Sequence, residues 1–120
     1  MIQFNNLLKQ QELIKDDIDK SIEKVLLHGK YIMGPEVKEL EATLSEFTGS
    51  KFCITTSSGT DALLISLMAI DIKNGDEIIT TPFTFVSTVE VIVSLGAIPI
   101  FVDIEEDTCN INADLIEEKI

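Results

Sequence analysis

Phe52-Cys53-Ile54-Thr55-Thr56-Ser57-Ser58-Gly59-Thr60-Asp61-Ala62-Leu63-Leu64 decides the reading of this chain. An apolar run suited to a strand breaks into small polar residues and restarts as an apolar helix, which predicts a strand over about 51–55 and a helix from Thr60 to Ala69. A helix opening there leaves its first backbone N–H groups without intrahelical partners, and its aligned peptide dipoles put partial positive charge at that end. Phosphate is the natural occupant of such an end. Ser58 or Thr60 could add a hydroxyl donor, and Gly59 lets an oxyanion approach the backbone where a Cβ would obstruct it. The same Ser-Gly-Thr is also ordinary capping chemistry, so on these residues alone both readings stand.

Upstream, Ile14, Ile18, Ile22, Val25 and Leu26 recur at helical spacing among charged residues, predicting an amphipathic helix that ends near His28-Gly29. His28 is suited to the dipole at that helix end more than to catalysis. A connector with Tyr31 and Gly34 leads to Pro35, which fits the first turn of a second helix carrying Val37, Leu40, Leu44 and Phe47 and closing at Thr48-Gly49. Downstream, a turn at Lys73-Asn74-Gly75-Asp76 precedes a strand from Glu77 to Thr81, which Pro82 ends. A further helix runs to about Leu95, Gly96 suits its cap, and Ile98 to Asp103 forms a third strand. Strands joined by helices pair in parallel through crossovers. The expected class is α/β, with N-terminal helices over residues 1–48 followed by three βα units of a parallel sheet over residues 49–120. Thr56 to Thr60 and Pro82 to Thr84 then lie at C-terminal strand edges, where open α/β sheets bind ligands.

Composition narrows the function. The 120 residues suffice for one domain, and 21 acidic against 9 basic residues give a net charge of −12. Every basic residue is Lys, so nucleic acid is not an expected partner and anion binding must rely on backbone, hydroxyls or Lys. The longest apolar stretch, Ala62 to Ile70, falls well short of the roughly 20 residues a membrane span needs. The start, Met1 to Asn6, lacks the pattern of a secretory leader, and the expected location is the cytoplasm. Cys53 and Cys109 form no zinc-ligand pattern. Asp103, Glu105, Glu106, Asp107, Asp114, Glu117 and Glu118 read as a solvated acidic face, and Glu105 to Asp107 lack a calcium-loop spacing. From Asn112 a last helix begins, with Leu115, Ile116 and Ile120 on its apolar side, and the chain then stops as if in the middle of a fold.

There is no G-x-G-x-x-G after a strand and no G-x-x-x-x-G-K-[ST]. The ordered series Gly34-Pro35-Glu36-Val37, Ser58-Gly59-Thr60-Asp61-Ala62-Leu63, Gly75-Asp76-Glu77-Ile78-Ile79, Pro82-Phe83-Thr84-Phe85, Gly96-Ala97-Ile98-Pro99 and Phe101-Val102-Asp103-Ile104 resembles the N-terminal portion of the DegT/DnrJ/EryC1/StrS sugar aminotransferases. The resemblance implies an incomplete fold-type I large domain and pyridoxal 5'-phosphate as cofactor. It implies that Gly59, Thr60 and Asp61 hold the cofactor phosphate through backbone N–H groups, with Ser58 in the same turn and the Thr60 hydroxyl assisting. Phe85 would stack on the pyridine ring, although on the residues alone it reads as an ordinary core aromatic. Tyr31 and Gly34 match a segment near the active site and dimer interface, although a Gly-Pro helix start also explains Gly34.

The chemistry further needs a lysine that condenses with the cofactor aldehyde and a carboxylate facing the pyridine nitrogen. None of Lys9, Lys15, Lys20, Lys24, Lys30, Lys38, Lys51, Lys73 or Lys119 sits in a matching motif, and Asp103 aligns outside the cofactor-facing pair. The resemblance therefore implies part of an enzyme that moves an amino group, usually from glutamate, onto a keto-sugar nucleotide, and that is inactive by itself. The alternatives are a truncated, non-catalytic interaction module pairing with an intact homologue and a small stand-alone phosphate-binding protein, and the expected assembly is a homodimer or association with an intact homologue.

Overall fold

The computed structural model describes residues 4–120. The reading of Met1 to Gln3 as part of a leaderless start lies outside them. The chain divides into two compact units, Met1–Ile54 and Thr55–Ile120.

The first unit is two helices, α1 (Leu7–His28) and α2 (Pro35–Thr48). Asn6 caps α1 by accepting from the Lys9 amide at 3.0 Å. Gly29 closes it in the left-handed conformation, its N–H reaching the Val25 carbonyl at 3.0 Å. Gly34 is required by packing, since a Cβ there would sit 2.4 Å from the backbone oxygen of Lys30. His28 is more than a partner for the dipole. Its Nδ1 accepts from the Lys30 amide at 3.0 Å, so its Nε2 carries the hydrogen and donates to both Glu36 oxygens, at 3.1 and 3.2 Å. With Lys24 3.5 Å from the same carboxylate, the end of α1 is tied to the start of α2. The Glu36 carboxyl is held below the usual glutamate range by its own backbone amide first and by His28 next. Of the apolar face of α1, Ile18 and Val25 are half-buried and Ile14, Ile22 and Leu26 are exposed.

The second unit runs α3 (Gly59–Ala69), β1 (Glu77–Thr80), α4 (Ser87–Ser94) and β2 (Ile98–Phe101). The two strands pair in parallel, Glu77 opposite Ile98 and Thr80 opposite Phe101. Ile98 and Val102 donate to the carbonyls of Asp76 and Thr80 at 2.8 and 2.9 Å. Alternation along the strand turns the Pro99 nitrogen away from that ladder, so the missing N–H breaks no pairing. Helix α4 packs on both strands and on α3. Val91, Ile92, Ala97 and Val102, each at most 5 % exposed, are the buried core among the described residues. The Gly75 amide reaches the Gly96 carbonyl at 2.9 Å and joins the turn before β1 to the turn after α4.

Two expectations are corrected. Residues 51–55 form no strand, and the sheet has two strands rather than three. A strand exists only through a neighbour's hydrogen bonds, and this segment straddles the boundary between the two units with Phe52 and Ile54 exposed. As expected, Pro82 to Thr84 lie in a loop at the end of β1, which runs on to residue 86 before α4 begins at Ser87. The terminal segment forms two 3-10 turns, Ala113–Leu115 and Glu117–Lys119, in place of an α-helix. So short an apolar face does not offset helix nucleation, and i to i+3 bonds such as Leu115 to Asn112 at 3.2 Å take over. Before it, an Ile104–Ile111 antiparallel bridge closes a hairpin loop carrying Glu105 to Asp107. Among the described residues no helix is long and apolar enough to cross a membrane, and no group of three His, Cys, Asp or Glu side chains could hold a metal ion.

Candidate functional site

The loop leading into α3 is a network of short side chains. Ser58 has extended backbone angles, and its hydroxyl oxygen accepts from the Asp61 amide at 3.1 Å, which makes it the N-cap of α3. Its carbonyl accepts from the Ala62 amide at 3.0 Å and from the Thr56 hydroxyl at 2.9 Å. The Asp61 carboxylate turns back over the cap, its Oδ2 accepting the Ser57 hydroxyl and, at 3.0 Å, the Ser58 hydroxyl. Those two hydrogen bonds, Ser57 first and Ser58 second, hold the Asp61 carboxyl below the usual aspartate range.

Two amides are left over. Among the described residues the N–H groups of Gly59 and Thr60 find no acceptor, and the Thr60 hydroxyl has no partner. A Cβ built on Gly59 meets nothing within 4 Å, so the space above the backbone there is open. Two free amides at a helix N-terminus, one uncommitted hydroxyl and an unobstructed approach fit a singly or doubly charged oxyanion such as a phosphate ester.

The other sequence-derived residues fall in two places. Phe85 lies on the 82–86 loop just before α4, 74 % exposed, so its ring is not a core aromatic of this unit. On that loop Phe83 donates its amide to the Thr81 hydroxyl at 3.2 Å, and Pro82, Phe83 and Thr84 line a hollow of about 300 Å³. Thr60 and Leu64 of α3 line a second groove, of about 420 Å³, with Val89, Glu90, Val93 and Ser94 of α4. Tyr31 and Gly34 belong to the first unit, on the α1–α2 connector. Thr56 and Ser57 fall inside the Thr56 to Thr60 edge expected to bind ligands but carried no individual role in the sequence. The signal was the Ser57-Ser58-x-x-Asp61 spacing, which sets an acidic residue at the third helical position behind a hydroxyl cap.

The family model of the DegT/DnrJ/EryC1/StrS aminotransferases matches residues 12–120. The chain belongs to this family, whose members depend on pyridoxal 5'-phosphate. It is 51 % identical, over its whole length, to 33 % of a UDP-2-acetamido-2-deoxy-3-oxo-D-glucuronate aminotransferase from Pseudomonas aeruginosa. A DegT DnrJ EryC1 StrS aminotransferase from Brucella abortus superposes with a TM-score of 0.92 at 39 % identity, over 98 % of this chain and 31 % of that one. NtdA from Bacillus subtilis with bound cofactor PMP gives 0.85 at 39 % identity, over 88 % and 24 %. The chain thus spans about a third of the length of the curated relative, its 33 %. Its α/β architecture is that of part of a fold-type I aminotransferase.

Proposed function

We propose that this chain supplies the phosphate-gripping and ring-facing side of a pyridoxal-phosphate site in a nucleotide-sugar aminotransferase. The observation that carries the reading is the pair of Gly59 and Thr60 amides without acceptors at the start of α3, open to approach. The phosphate is held by those two N–H groups and the Thr60 hydroxyl, within the turn that Ser58 and Asp61 complete. Phe85 covers one face of the pyridine ring. When bound, the cofactor supplies the electron-withdrawing ring on which amino transfer runs. None of the nine lysines of this chain bonds covalently to its aldehyde, so the chain by itself binds the cofactor weakly and turns nothing over. Residues 51–55, which form no strand here, become a strand of the larger sheet, and residues 49–120 form part of the cofactor-binding domain that follows the helical segment 1–48 in sequence.

The complete protein transfers an amino group from glutamate onto a keto-sugar nucleotide in the cytoplasm, as a homodimer. The 51 % identical relative, which acts on a 3-oxo sugar carried by UDP, makes that class the first substrate to try. The test uses the isotope-labelled chain with pyridoxal phosphate. Amide signals of Gly59 and Thr60 shift with pyridoxal phosphate but not with pyridoxal, and borohydride reduction followed by mass spectrometry labels no lysine stoichiometrically. Stoichiometric labelling of one lysine would overturn the account.

A second reading has its own observation. Leu13, Leu27 and Phe47 of the helical unit are each more than 80 % exposed, an apolar surface suited to association with an intact homologue. Co-purification with a full-length aminotransferase supports that reading, and a stable monomer by light scattering counts against it.

A further inference from the structure

The loop before α3 holds four donors that could compete for one anion: the hydroxyls of Thr56, Ser57 and Ser58 and the Asp61 amide. All four are committed within the loop. Thr56 donates to the Ser58 carbonyl at 2.9 Å, Ser57 and Ser58 donate to Asp61 Oδ2, and the Asp61 amide donates to the Ser58 hydroxyl at 3.1 Å. The Asp61 carboxylate is the hub, since one oxygen receives both serine hydroxyls. Removing it would free two hydroxyls to rotate, and Ser58 would lose one of the two bonds that orient it.

We propose that Asp61 is a positioning residue for the anion site, its carboxylate drawing the Ser57 and Ser58 hydroxyls away from the ligand so that only the Gly59 and Thr60 amides and the Thr60 hydroxyl face it. This rests on the reading of the site given above and deepens it. Asp61 acts through the turn, and its amide, taken by Ser58, is not a ligand donor. The carboxylate has two opposed effects. It fixes the loop, and it puts a negative charge at the helix end to which the phosphate is drawn. An uncharged residue of the same shape keeps the first effect and removes the second.

That separation makes the test. Affinity for pyridoxal phosphate is measured by equilibrium dialysis, alongside the amide shifts of Gly59 and Thr60, for the wild-type chain, Asp61→Ala and Asp61→Asn. Asp61→Ala weakens binding about tenfold, the size expected for one lost capping interaction. Asp61→Asn, whose amide oxygen still accepts from both serines, binds at least as tightly as wild type and loses more affinity on adding salt, because salt no longer relieves a repulsion between the carboxylate and the phosphate. Amide exchange along α3 separates this from mere helix destabilisation, because both variants keep residues 63–69 protected. If wild type shifts at Gly59 and Thr60 while Asp61→Ala binds equally well, or if Asn fails to restore affinity, the positioning role is wrong and the site stands. If wild type shows no cofactor-dependent shift at those amides, the site reading fails and the positioning role falls with it.

Discussion

Two glycine-to-alanine substitutions should behave oppositely, because the two glycines are kept for different reasons. At Gly34 the backbone lies at φ −66 and ψ 178, angles any residue adopts, so alanine meets no conformational penalty. The penalty is steric. The new Cβ would lie 2.4 Å from the Lys30 carbonyl oxygen and 3.4 Å from Glu36 Oε2, and the first of these is backbone that cannot swing aside. Overpacking of this kind costs about 1–3 kcal/mol, against about 0.4–1 kcal/mol returned by the stiffer unfolded chain. Gly34→Ala should therefore destabilise by about 1–2 kcal/mol. At Gly59 a Cβ meets nothing within 4 Å, so the unfolded-state term acts alone and Gly59→Ala should stabilise by about 0.4–1 kcal/mol. Urea unfolding followed by circular dichroism measures both, with the slope checked for constancy. The ligand readout inverts the order: Gly59→Ala should lose the pyridoxal-phosphate response of the Thr60 amide, and Gly34→Ala should keep it. A Gly34→Ala midpoint equal to wild type, or a Gly59→Ala variant weaker than wild type by more than about 1 kcal/mol, would refute the steric reasoning.

Three more outcomes follow from the same geometry. Ile92, 2 % exposed on α4, should cost about 2–5 kcal/mol when cut to alanine, read as a lowered urea midpoint. Gly96→Ala combines a φ of +76 with a Cβ 2.3 Å from Asn74 Nδ2, so it should destabilise by about 1–2 kcal/mol through the left-handed backbone, and Asn74→Ala in the same chain should recover only the steric part. The Glu36 carboxyl is depressed in the folded state, so its contribution to stability is whole above the ordinary glutamate range and is lost as pH falls through the lower folded value. Carbon-detected titration should find the Glu36 midpoint below that of an unstructured glutamate, and His28→Phe should move it upward.

How far the sequence could be read depended on the range of the interactions concerned. Helix ends are local chemistry. Gly29, Pro35, Gly49 and Gly96 announced their turns because left-handed closure and a proline first turn need only the residues beside them. The parallel pairing of Glu77–Thr80 with Ile98–Phe101 was legible for a similar reason, since the helix between them dictates the return. Residues 51–55 carry the same strand pattern yet form none, because strand character belongs to a pair and no neighbour lies beside them among the described residues. His28 was missed as a tie for a related reason: its partner Glu36 lies across a connector whose path depends on Gly34 allowing the Lys30 carbonyl close.

The turn into α3 sits between these cases. Its position as a helix start at Ser58 to Asp61 was local and legible, but which of its donors remain free was not. That depends on which hydroxyls the Asp61 carboxylate takes up, an allocation made by side-chain rotation within one turn. A cap and an anion site draw on the same four orphan N–H groups. The Ser58 side chain and carbonyl serve the third and fourth amides, Asp61 and Ala62, and leave Gly59 and Thr60 exposed, the same allocation that Asn6 makes at the start of α1. Gly59 is the weakest choice for a helix start judged on stability, and the open space above it gives a packing reason for alanine and none for glycine. What glycine does allow there is an outside group coming closer to the backbone than a methyl would permit.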